Sequence, residues 1–119
     1  MTPGRIVLVD WRDALPGSTE PSKIRPGIVV GSSFLFSRGS PTRIVVPLTG
    51  SSTLAIPGAS LEICPTEQNF CTKTCYALAW NVQSVPSARL HEARGRVTDD
   101  ELALVRALVA RCVDAAAVD

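Results

Sequence analysis

Over its first ninety residues the chain is cut into short apolar or alternating runs, each ended by Pro, Gly or Ser, with no crossover helix between the early ones. That pattern predicts strands, because apolar residues bounded by turn formers suit a half-buried pleated surface. The runs are 5–11 (R-I-V-L-V-D-W), 27–30 (G-I-V-V), 43–48 (R-I-V-V-P-L), 60–64 (S-L-E-I-C) and 76–82 (Y-A-L-A-W-N-V), with 85–90 as a sixth. Pro47 lies inside one of them and has no N–H for a ladder, so that strand is expected at a sheet edge or at a bulge. Residues 32–36 predict a short helical turn, and 50–59 an irregular connection. Residues 13–26 hold three prolines and one glycine and form a long connection between two strands, a place where small domains carry function.

The C-terminus follows a different period. Thr98-Asp99-Asp100-Glu101 is a capping box, with acids at the positive end of a helix dipole. Leu102, Val105, Leu108, Val109, Cys112, Val113 and Ala116 then fall on one helical stripe, with Arg106 and Arg111 off it or at its margin. Short strands followed by one helix predict a mainly β fold, a small and partly closed β-barrel with a C-terminal α-helix. The 119 residues fit a single domain, 1–119, and 45% apolar composition in so small a chain suggests a second subunit or partner covering part of the surface.

No apolar run nears the roughly 20 residues that cross a bilayer, and no h-region with a cleavage site opens the chain. No membrane association and a cytoplasmic location are therefore expected. Residues 1–50 hold six Lys/Arg against three acids, whereas 92–119 hold four against six. This excess is too small for bulk electrostatic binding to nucleic acid, but it allows a local anion site.

The sequence has no Gly-rich phosphate loop, no H-E-x-x-H and no G-x-S-x-G, and its single histidine, His91, makes a two-histidine ribonuclease impossible within one subunit. Cys71 and Cys75 form C-x3-C without a second close-spaced ligand pair, so zinc is a minority reading and a thiol regulator a weak third idea. Cys64 and Cys112 are expected as half-buried apolar thiols. What remains is an arginine just before a strand, Arg25 in K-I-R-P-G-I-V-V, and a threonine just after one, Thr49 in V-V-P-L-T-G. Pro26 holds Arg25 extended, so its guanidinium stands on scaffold rather than on a swinging loop. From spacing alone, a solvated arginine and a turn threonine are the favoured reading.

The order G-R-I-V-L-V-D-W, G-S-T-E-P-S-K-I-R-P-G-I-V-V, R-I-V-V-P-L-T, Y-A-L-A-W-N-V-Q-S-V-P-S-A-R-L and a T-D-D-E-L helix resembles the MazF/PemK toxin family of sequence-specific endoribonucleases over nearly the whole chain. The resemblance implies an SH3-like, PemK/CcdB-like barrel. It further implies a homodimer with single-stranded RNA in an interface groove, cleavage without metal or cofactor, and neutralisation by a cognate antitoxin. It puts the catalytic pair on Arg25 and Thr49, and Glu20 and Lys23 on the loop positions ahead of the arginine, with Gly17-Ser18 one residue further from Arg25 than the family's G-S-E spacing. The family's Q-x-R-T-V stretch here reads Asn81-Val82-Gln83-Ser84-Val85, without its basic side chain, while Arg89 of the R-L pair is kept; a changed base preference or weakened activity follows. Asn81, Gln83 and Arg89 join Glu20 and Lys23 as substrate-binding candidates. Trp11, at the mouth of the long loop, is the candidate for base stacking, whereas Phe34, Phe36 and Trp80 sit on segments better suited to packing. The competing reading is a non-catalytic toxin of the same fold that binds a protein target such as DNA gyrase.

Overall fold

A computed structural model describes residues 2–11 and 24–115 of the chain. Among them it places seven strands and two α-helices: β1 Arg5–Asp10, β2 Ile24–Val29, α1 Ser33–Ser37, β3 Thr42–Thr49, β4 Leu61–Ile63, β5 Cys75–Ala77, β6 Gln83–Pro86, β7 Leu90–Arg96 and α2 Asp99–Cys112. All pairings are antiparallel, in the order β4-β5-β3-β2-β1-β7, with β6 also on β3. The fold is mainly β with a C-terminal helix, as the sequence predicts. The sheet is not closed, since its end strands, β4 and β7, are not paired with each other among the described residues, so the expected barrel describes it only loosely.

Apolar residues are buried on both faces of this sheet. Ile6, Ile28, Val30, Val46, Leu48, Ile63 and Ala77 pack with Val97, Leu102 and Val105 of the C-terminal region on one face. Val7, Val9, Trp11, Val29, Val45, Val85 and Leu90 form a second core on the other. Two-sided burial explains why β1 and β3 read as near-continuous apolar runs rather than strict alternation. Each buried Val, Leu or Ile among them contributes about 1.5–3 kcal/mol by leaving water.

Pro47 corrects the expectation of an edge strand. β3 is central, with β2 on one side and β5 and β6 on the other. Its partner changes from β6 at Val45 to β5 at Leu48. Pro47 stands in that gap, where its carbonyl accepts from Leu78 N at 2.9 Å. Since N and C=O of one strand residue point to the same side, the missing donor faces the junction and breaks no regular ladder bond. The run 76–82 is likewise shorter as a strand than expected: β5 ends at Ala77 and a 3-10 turn, Ala79–Asn81, follows. The run 85–90 divides into the end of β6, a 3-10 turn at Ser87–Arg89 and the start of β7.

The capping box of α2 is formed in full, with Thr98 Oγ1 accepting from Glu101 N at 3.0 Å and Glu101 Oε1 from Thr98 N at 2.9 Å. The apolar stripe is buried at Leu102 and Val105 and then runs out of sheet to cover, leaving Cys112 and Val113 exposed. Ala116 lies outside the described residues. Arg106, marginal by its spacing, fastens the helix to the end of β2 by donating to Val30 O at 2.9 Å.

Candidate active site

Arg25 and Thr49 line the same cavity, of about 460 Å³. β2 and β3 run antiparallel with Gly27 opposite Pro47, which brings the start of β2 and the end of β3 to one end of the sheet. The two residues stand 24 apart in sequence, and strand pairing makes them neighbours around one space. Arg25 is exposed. Its Nη1 donates to Ile24 O at 3.0 Å, which orients the guanidinium and leaves further donors for a ligand. Thr49 Oγ1 accepts from Ser51 N at 3.1 Å, so one lone pair is engaged and the hydroxyl keeps its own donor capacity.

Trp11 corrects the stacking expectation. It is 1% exposed, packs in the second core, and donates from Nε1 to the Arg25 carbonyl at 3.2 Å. A buried indole with its N–H satisfied has no face to offer a base; it fixes the backbone beneath Arg25 instead. Asn81, Gln83 and Arg89 do not line the cavity. Gln83 lies on β6 opposite Val45, Gln83 Nε2 donates to Asn81 Oδ1 at 3.2 Å, and Arg89 closes a 3-10 turn beyond the same strand. Glu20 and Lys23 lie outside the described residues.

The rest of the polar lining comes from residues that carried no expectation of binding substrate. Asn69, 3% exposed, accepts at Oδ1 from Thr66 N at 3.0 Å and Cys71 N at 2.9 Å, and donates from Nδ2 to Cys64 O at 2.8 Å. One amide thereby folds residues 64–71 into a fixed turn. Asn69 O lies against Gly95 so closely that a Cβ there would collide with it. This turn delivers Phe70, at φ 57°, together with Cys71, Thr72 and Lys73 to the cavity. Arg94 joins them from β7, with its guanidinium 4.5 Å from the Phe70 ring centroid. The signal available in the sequence was the T-x-x-N spacing, since Thr66 Oγ1 accepts from Asn69 N at 3.0 Å; it marks a turn but not what the turn faces.

Arg25, Lys73 and Arg94 are the charged side chains among the described lining residues, and no carboxylate stands with them. A cationic rim around an apolar floor of Ile6, Leu48 and Leu54 suits an anionic ligand that also carries an apolar or aromatic part. Cys71 and Cys75 line the same space. Burial, then the neighbouring Cys75 thiol and Glu101, push the Cys71 thiol up to about 11. Both cysteines are free, and no third His, Cys, Asp or Glu among the described residues joins them as a metal cluster. Cys64 and Cys112 are exposed rather than half-buried, because β4 ends at Ile63 and the buried stripe of α2 ends before Cys112.

Solved structures share this architecture. The chain is similar to an endoribonuclease in complex with its cognate antitoxin from a mycobacterial species, with TM-score 0.72 and 17% identity over 96% of this chain and 95% of that one. It is also similar to MazF from Deinococcus radiodurans, with TM-score 0.70 and 18% identity over 96% of each chain. The MazE–MazF complex of the same organism gives TM-score 0.69 and 17% identity, again over 96% of each chain. At these identities the likeness establishes the fold. No curated protein matches the sequence. The sequence itself, over residues 2–113, matches the family described as PemK-like, MazF-like toxin of type II toxin-antitoxin system, and the chain belongs to that family.

Proposed function

We propose that this toxin is an endoribonuclease that cleaves single-stranded RNA at the Arg25–Thr49 cavity, without a metal ion, and that a cognate antitoxin neutralises it. The reading is carried by one observation: two side chains from separate strands, a guanidinium and a hydroxyl, share a cation-lined cavity that holds no carboxylate among its described lining residues. RNA supplies its own nucleophile. The ribose 2′-oxygen attacks the adjacent phosphorus as its proton passes to a base, the P–O5′ bond breaks, and the leaving oxygen takes up a proton. The products are a 2′,3′-cyclic phosphate and a 5′-hydroxyl. The protein's task is to align the 2′-oxygen with the leaving oxygen and to stabilise the extra charge of the phosphorane.

Arg25 suits the second task, since its fork of donors matches phosphate oxygens and stays charged at any relevant pH. Thr49 donates to the same phosphate. The similar structures that hold a toxin together with its antitoxin support the neutralising partner, and family membership supports a homodimer with RNA in its groove. Purified protein in EDTA is expected to cut a mixed-sequence single-stranded RNA into fragments ending in 2′,3′-cyclic phosphate. Arg25→Ala is expected to lower kcat by about 10²–10³-fold, the usual loss when a preorganised donor to a developing oxyanion is removed. Growth arrest by the intact toxin without RNA fragments overturns the nuclease reading and favours a protein target.

A further inference from the structure

We propose that Lys73 is a second phosphate-holding cation of this cavity, binding the RNA backbone beside Thr49. The inference rests on the nuclease reading above and adds a residue to which neither the sequence pattern nor the family motifs gave a role. Its first support is position. The Lys73 side chain lies over Gly50, the residue after Thr49; a Cβ at Gly50 would collide with its Cε and stand 2.6 Å from Nζ. Gly50 is thus the space that lets an ammonium group settle at the end of β3, next to the hydroxyl assigned to the scissile phosphate.

The second support is that Lys73 is held from behind while its charge has no ion-pair partner among the described residues. Cys75 Sγ donates to the Lys73 carbonyl at 3.5 Å, and Cys71, two residues before it, is packed against the core beneath the cavity. The C-x3-C spacing thereby gains a reason: its thiols bracket the exposed lysine and anchor the bend that carries it. No carboxylate among the described residues forms an ion pair with Lys73, and none stands among the described residues lining the cavity. An ammonium at the end of β3, without an ion-pair partner among the described residues and lining the same cavity as Arg25, is suited to a polyanion with regularly spaced charges.

Steady-state cleavage of a mixed-sequence single-stranded RNA at several salt concentrations tests this. Lys73→Ala is expected to raise KM about five-fold while kcat stays within about two-fold, and to flatten the dependence of log KM on log salt by about 0.7, the contribution of one phosphate on a single strand. Lys73→Arg is expected to restore both. Gly50→Ala, which displaces the lysine, is expected to raise KM as Lys73→Ala does and to add nothing further in the double variant. An unchanged salt slope in Lys73→Ala, or a loss that Lys73→Arg does not restore, overturns the proposal. If the unaltered protein cuts no RNA at all, it is the nuclease reading that fails.

Discussion

The two walls of the cavity are built by different means. Arg25 and Thr49 stand at the ends of β2 and β3, which pair with each other and, on their outer sides, with β1, β5 and β6, so many ladder bonds and two apolar cores fix where they are. Phe70, Cys71 and Lys73 stand on an irregular segment held chiefly by the three hydrogen bonds of the Asn69 amide and by the close approach of Asn69 O to Gly95. One wall is overdetermined by the sheet. The other is held by fewer bonds, those of the buried Asn69 amide foremost among them, with one backbone bond from Arg96 N to Gln68 O and the Cys71 and Cys75 thiols beside them, and is therefore the wall that a point change can move while the fold survives.

The contrast can be broken from the strand side first. Trp11→Ala removes a fully buried indole from the second core and its hydrogen bond to Arg25 O, and is expected to cost about 3–5 kcal/mol of global stability, measured by urea denaturation. Because that wall is part of the sheet, its failure should be cooperative, with a single transition seen by every probe. Asn69→Ala should cost less, about 1–3 kcal/mol, since it orphans the donors at Thr66 N and Cys71 N and the acceptor at Cys64 O. Here hydrogen exchange should rise over residues 64–74 while the amides of β1 to β3 stay protected. Equal loss of protection in both regions would show that the two walls are one unit.

The smallest effect sharpens the comparison at one atom. With the Cys71 thiol raised from 9.0 to about 11, its thiolate fraction near pH 8 is about 100-fold below that of an unperturbed cysteine. Iodoacetamide should then modify the exposed Cys64 and Cys112 well before Cys71, as followed by peptide mass spectrometry. Asn69→Ala, by loosening the turn, should shorten the delay at Cys71; an unchanged delay would mean that the core alone buries the thiol. The sign of the linkage also follows. Between pH 9 and about 11 the folded chain keeps a proton that the unfolded chain has released, so stability falls as pH rises through that window.

Much of this was legible in the sequence where local chemistry decides it. The capping box at Thr98 and Glu101, the strand cores and the strand-end placement of Arg25 and Thr49 follow from residues close together in the chain. Trp11 was misjudged because an aromatic residue at the end of an apolar run looks the same whether its ring turns to solvent or to a second core, and only the packing of β1 against Val45, Val85 and Leu90 settles it. Lys73 gave no signal because its meaning lies in Gly50, a residue 23 positions away that leaves room for it.

By itself the sequence determined the mainly β class, the C-terminal helix and the family, since periodicity, caps and ordered motifs are written in neighbouring residues. Tertiary structure alone decided that the sheet stays open, that Pro47 sits at a change of partner, and that three cations from β2, β7 and the 64–74 segment meet around one cavity. Those outcomes depend on which strands pair and in what register, and pairing is a choice among distant segments whose free energy is set by the cores they bury together.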